Sequence, residues 1–99
     1  MSEESELIQE IKDHIASRGG SNSEWYVGIA KDPEQRLFVD HNVNKDTDKW
    51  IHRKASSSTI ARNVEGHFIN KLHTDGDVGG GDDTTIHVYA FRENSHTRR

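Results

Sequence analysis

Glu65 is the residue of this 99-residue chain whose position most needs a chemical reason. Stepping about 100° per residue from Ile60 sets it between Ala61 and Ile69, inside the apolar face of a helical segment. Desolvating a lone carboxylate is expensive, so Glu65 must pair with a cation, hold a metal ion, or lie where that face meets a solvated cleft. Arg36, Arg53 and Lys54 are the cations available for a plain salt bridge. Arg36 also has chemistry of its own. It follows Gly28 by eight residues, on a short helix entered through Asp32-Pro33, and if that helix packs back on the preceding strand, Arg36 and Tyr26 overlook one open face. A guanidinium there offers phosphate paired, charge-assisted hydrogen bonds; taken alone, it serves equally as a solvated helix side chain.

The other reactive side chains exclude more than they suggest. The chain has no cysteine, which removes disulfide frameworks, thiolate zinc sites, iron–sulfur ligation and thiol nucleophiles together. His14, His52, His67, His73, His87 and His96 never fall as His-x-x-x-His on one helix and read as surface or loop residues. The stretch from Asp75 to Asp83 is rich in aspartate and glycine, yet the twelfth position of a calcium loop falls on Ile86 and no Gly-Lys-Ser/Thr follows. It reads as a flexible solvated loop.

Six elements must position these residues. Leu7, Ile8, Ile11 and Ile15 recur at helical spacing, with Ser2 as N-cap, Glu3 and Glu4 near the positive end and Gly19 as the stop. Glu24 to Ala30 reads as a strand with Trp25, Val27 and Ile29 on one face and Tyr26 and Gly28 on the other. Asp32-Pro33-Glu34-Gln35 opens a short helix to about Asn42. Asn44 to Lys49 is a loop, and Trp50 to Ala55 a short edge strand whose charges discourage pairing. Serines 56 to 58 offer N-caps to a helix carrying Ile60, Ala61, Val64, Phe68, Ile69 and Leu72. Thr84 to Phe91 alternates as a strand, and the tail from Arg92 reads as frayed. Helix, strand, helix, strand, helix, strand suits a small sheet with helices packed on it.

Two of these stretches resemble one known family. Tyr26-Val27-Gly28-Ile29-Ala30-Lys31-Asp32-Pro33-Glu34-Gln35-Arg36-Leu37 is similar to the second half of the GIY-YIG nuclease signature, where a Tyr-x-Gly strand leads to a helix bearing Arg-Leu. Ala61 to Ile69 resembles the later helix of that family, with an alanine four residues before the key glutamate and an aliphatic four after it. Trp50 to Ala55 would be the third family strand, so the resemblance covers Trp25 to Leu72. It implies an α+β fold, a small, mainly antiparallel three-stranded sheet flanked by helices, with an N-terminal helix and a C-terminal strand added. It implies phosphodiester hydrolysis in DNA, with Glu65 holding one Mg2+ or Mn2+ ion, Arg36 on the scissile phosphate and Tyr26 near the attacking water. The family's opening Gly-Ile-Tyr strand has no counterpart, since Ala16-Ser17-Arg18-Gly19-Gly20 lacks a tyrosine. The strand Thr84 to Phe91 is expected to fill the vacant sheet position, as in a permuted arrangement, with Tyr89 replacing the lost tyrosine. Members also often place a histidine four residues after the arginine. Here His41 follows by five, which turns it onto the apolar face between Leu37 and Phe38 as a packed, neutral histidine.

Length and charge set the remaining bounds. The chain fits one domain, 1–99, made of an N-terminal helix (1–20), the core (24–72), a C-terminal strand (84–91) and a tail (92–99). Seventeen acidic against 13 basic side chains give −4 with histidine neutral, which excludes an indiscriminate coat for nucleic acid. Between Lys49 and Thr74, however, Lys49, Arg53, Lys54, Arg62 and Lys71 face the single acid Glu65, beside Trp50. Lys31, Trp50, Arg53, Lys54 and Arg62 are therefore the candidate nucleic-acid contacts, with a mixed solvated surface as the plainer reading. No apolar run suffices to span a bilayer and the N-terminus is acidic, so the expected setting is soluble and cytoplasmic, without a membrane. The competing reading is a GIY-YIG-like module that binds nucleic acid or protein without catalysis, and a protein partner is one expected source of specificity.

Overall fold

The computed structural model describes residues 2–19, 21–76 and 83–98. Residues 77–82, most of the stretch weighed above as a calcium loop, lie outside them. Helix α1 (Glu3–Arg18) begins where the Ser2 hydroxyl accepts the Ser5 amide at 3.1 Å. It stops at Gly19, whose φ of 86° only glycine adopts without penalty. Strand β1 (Trp25–Ala30), strand β2 (Trp50–Lys54), helix α2 (Ser58–Asn70) and strand β3 (His87–Arg92) follow. Of the candidate caps for α2, Ser57 is used, accepting the Ile60 amide at 3.2 Å.

Among the described residues the strands form one antiparallel sheet in the order β1-β3-β2, so the last strand in sequence is the central one. The fold is α+β. β3 starts at His87 rather than Thr84: both ladders end there, opposite Ala30 and Lys54, and just before it the Ala55 amide donates to the Ile86 carbonyl at 2.8 Å. The register sets Tyr89 opposite Gly28 on one side and His52 on the other.

Alternation along the strands makes two unlike faces. On the first, Trp25, Val27, Ile29, Ile51, Val88 and Ala90 pack under Leu7, Ile11 and Ile15 of α1 and Ala61, Val64 and Phe68 of α2. That is the aliphatic core, and both amphipathic helices are buried against it. On the second face, Tyr26, Ala30, Tyr89 and Phe91 are covered by Leu37 and Val43, with Phe38 and Trp50 packed alongside.

The cover on the second face departs from the expected short α-helix. It opens as expected, with Asp32 Oδ1 accepting the Gln35 amide at 3.1 Å. Gln35–Asp40 then winds as a π-helix, closed by the His41 amide on the Arg36 carbonyl, five residues back, at 2.8 Å. The tail is a second departure, because Arg92 closes β3 and the chain beyond it folds back on the loop that follows the π-helix. Among the described residues no helix is long and apolar enough to cross a membrane.

Candidate functional site

Polar chemistry concentrates on the second face. Tyr89 lies on the central strand with its ring across Gly28, where a Cβ would come within 2.5 Å of the phenol oxygen and 2.6 Å of Cζ. Any side chain at position 28 therefore displaces Tyr89. Tyr26, two residues earlier on the same face, stacks 6.3 Å from Tyr89 and 5.3 Å from Phe91, centroid to centroid. The His41 ring sits 4.8 Å from Tyr26, tilted against it.

One polar cluster joins these groups. The Tyr89 phenol meets His41 Nε2 at 2.7 Å, and the Arg36 guanidinium lies near enough for the phenol to raise its pKa. His41 Nδ1 lies 2.5 Å from the Arg98 carbonyl oxygen. A carbonyl oxygen only accepts, so Nδ1 carries the proton. Burial pushes the His41 pKa below its ordinary value, with the Arg36 charge acting the same way against the Arg98 carbonyl and Asp40. The neutral ring thus offers Nε2 as an acceptor to the Tyr89 hydroxyl. Burial also pushes the Tyr89 phenol up to about 12, nearby Arg36 opposing it, so the hydroxyl stays protonated at neutral pH. Arg36 is the solvent-facing end of the cluster, its side chain 49% exposed and 3.7 Å from Asp40.

The π-helix explains why His41 belongs here. On an α-helix, a residue five after Arg36 would be turned away from the side that Arg36 faces. The wider turn takes up the extra residue, so that His41 bonds the Tyr89 oxygen while Arg36 stays on the same side, close enough to feel that phenol. His41 is buried and neutral as its sequence position suggested. Its hydrogen bond to Tyr89 is what sequence reasoning missed.

Glu65 is 2% exposed on the buried face of α2, as its helical position required. That helix packs on the first face, whereas Tyr26, Arg36, His41 and Tyr89 meet on the second. The link between them is electrostatic, the Glu65 charge being among the influences that raise the Tyr89 phenol. Two cations proposed for a simple salt bridge are engaged elsewhere: Arg53 meets Glu10 of α1 at 3.4 Å, and Arg36 meets Asp40.

The basic candidates do not form one patch. Arg53 projects toward α1, and Arg62 is exposed on α2. Lys54 shares the second face, and Lys31 follows Ala30 at the same sheet end, since Ala30 and Lys54 both pair with His87. Trp50 is half-buried, edge-on to Phe38 at 5.0 Å, and its Nε1 donates to the Lys45 carbonyl at 3.0 Å. His52 and His87, read above as surface or loop residues, are half-buried strand residues of this face, and His52 stacks on Trp50 at 5.7 Å. Burial lowers the His52 pKa, with Glu34 opposing it. Compared with protein-family models, curated proteins and solved structures, the chain matches none of them.

Proposed function

We propose that the chain is a divalent-metal-dependent endonuclease that hydrolyses phosphodiester bonds in DNA, resembling the GIY-YIG nucleases, with its two tyrosines drawn from β1 and β3. One observation carries the reading: the Tyr89–His41 hydrogen bond lies beside Tyr26 and next to the Arg36 guanidinium on one face of the sheet. Half-exposed Arg36 binds a non-bridging oxygen of the scissile phosphate. Water then attacks phosphorus. Its proton passes to the Tyr89 oxygen as Tyr89 hands its own to His41 Nε2, and the leaving alkoxide is protonated by solvent. Tyr26 orients the water.

The resemblance assigns Mg2+ or Mn2+ to Glu65, but this carboxylate is 2% exposed on the first face, opposite Arg36 and Tyr89, and does not fit an ion shared with the phosphate they would hold. Metal dependence rests on the resemblance alone, and none of the steps above passes through an ion. Lys31 and Lys54 give the DNA backbone contacts at their end of the sheet. The same reading sets the protein in the cytoplasm, with a protein partner as the source of specificity.

A second reading, a non-catalytic binding module, is favoured by the burial of the bonded pair itself, since Tyr89 and His41 are 1% and 3% exposed and satisfy each other. Cleavage of linear, supercoiled and branched DNA with Mg2+ or Mn2+ separates the two. A nuclease nicks DNA only with the cation, stops in EDTA, and loses about 10²- to 10³-fold of its rate in Arg36→Ala. If wild type is inert on the whole panel yet binds DNA equally with and without cation, the binding module replaces the nuclease.

A further inference from the structure

We propose that the C-terminal segment Asn94–Arg98 is a strap that fixes the tautomer of His41, and thereby decides which way the proton of Tyr89 points. The segment is polar, and its composition gives no reason to dock. It is nevertheless tied at both ends. At the near end it clasps Asp48: Asn94 Nδ2 donates to Oδ1 at 2.9 Å, and His96 Nε2 bonds Oδ2, which also accepts the Asn44 amide at 2.7 Å. Asp48 is an unusual residue to find in a polar loop, with a side chain only 7% exposed. Burial would raise its pKa, yet the bonds from Asn44, His96 and Asn94 outweigh it and leave the carboxyl below its ordinary value.

A turn then carries the chain from the clasp to the site. The Asn94 amide donates to Thr97 Oγ1 at 2.9 Å, and the His96 amide to Asn94 Oδ1 at 3.1 Å. Asn42 Nδ2 donates to the His96 carbonyl at 3.0 Å from a residue at φ 57°, a conformation asparagine tolerates better than most. At the far end the backbone of Arg98 grips His41 twice. Its amide donates to the His41 carbonyl at 2.7 Å, and its carbonyl accepts from Nδ1.

The second grip has a chemical consequence. Without an acceptor at Nδ1, a neutral imidazole is free to carry its proton on either nitrogen. On Nε2 the proton would compete with that of the phenol, and His41 could no longer accept from Tyr89. Asp48, Asn94 and His96 are therefore positioning residues: they touch no substrate and act through the Arg98 backbone on His41. The nuclease reading matters only to what the oriented proton is used for, and the orientation itself is tested on the free protein.

The experiment is nitrogen-detected NMR on full-length protein labelled at histidine, comparing wild type with the double variant Asn94→Ala/His96→Ala. Wild type should show His41 as a single Nδ1-protonated tautomer. In the variant the spectrum should move to a mixture of tautomers, and exchange of the Arg98 amide should accelerate about tenfold or more. The Tyr89 and Ala90 amides of β3 should stay protected, which shows that the sheet remains folded. A wild-type His41 protonated on Nε2 would overturn the proposal. So would a variant whose His41 tautomer and Arg98 exchange match wild type. Should the protein cleave DNA, the variant should lose about tenfold in kcat at nearly constant KM; equal loss in KM instead would assign the strap to substrate binding and against His41.

Discussion

The two faces of the sheet are built from the same three strands and do different work. The first is mainly aliphatic, with Trp25, Phe68 and the buried Glu65 as exceptions, and receives both long helices. The second holds two tyrosines, a buried imidazole and one end of an arginine, under a six-residue π-helix and a folded-back tail. Apolar contacts on the first face have no direction, so any side chains of suitable volume would serve. On the second face each buried polar atom needs a partner at a set distance, and the backbone bends to supply it. A π-turn, a glycine in mid-strand and a strap from the far end of the chain are all local departures from regular structure, and all lie on that side.

The contrast is broken most severely on the first face. Phe68 has no exposure and fills the space between α2 and the sheet. Phe68→Ala should cost about 3–5 kcal/mol, through lost burial and the cavity left behind. Urea unfolding followed by tryptophan fluorescence checks the magnitude. If the faces are energetically separate, the variant that remains folded keeps the wild-type His41 tautomer; a changed tautomer would mean that the first face also holds the Tyr89–His41 pair in place.

A smaller loss with a larger chemical effect is expected from Gly28→Ala. The new methyl would stand 2.5 Å from the Tyr89 oxygen, well inside contact distance. Overpacking of this kind costs about 1–3 kcal/mol. Here the strain is relieved by moving the Tyr89 ring, which pulls the phenol from His41. The measurement is a pair: thermal unfolding for the stability, and the His41 resonances for the hydrogen bond. Destabilisation with unchanged resonances would show that the β1 backbone gives way instead of the ring.

Much of the first face was legible in the sequence because its signals are local. Leu7, Ile11 and Ile15 repeat at helical spacing, Trp25, Val27 and Ile29 alternate, and Glu65 stands out in the apolar face of α2 by arithmetic alone. The second face was only partly legible. Tyr26 and Arg36 could be nominated from type and spacing, Tyr89 only from the family resemblance, and the structure gathers them. The role of His41 was hidden by the π-turn, since stepping around an ideal α-helix points it away from the side that Arg36 faces. The strap was hidden for a different reason. Its bonds span 46 to 57 residues and end on backbone atoms or on one aspartate, so no periodicity marks them. The packing of half-buried Trp50 against Phe38 and His52 was likewise not legible from its type alone.

The mildest test sharpens the comparison through pH. His41 has a folded-state pKa below its model value of 6.5, so between those two values the unfolded chain binds more protons than the folded one. Stability from this group is therefore complete above pH 6.5 and is lost as pH falls through the folded pKa. Asp48 carries the same sign in a lower window, being depressed below 3.8, so its clasp should survive the fall that charges His41. Urea midpoints measured from pH 8 to pH 5 should accordingly decline below pH 6.5 while the Arg98 amide stays protected. His41 faces Arg36, Asp40, Tyr26, Tyr89 and the Arg98 carbonyl. His14 and His52 are depressed as well, chiefly by burial, so the wild-type slope alone does not isolate His41. Comparison with His41→Asn does: its midpoints should fall less steeply than those of wild type. Parallel curves would assign the acid sensitivity to His14 and His52 instead of to the strapped imidazole.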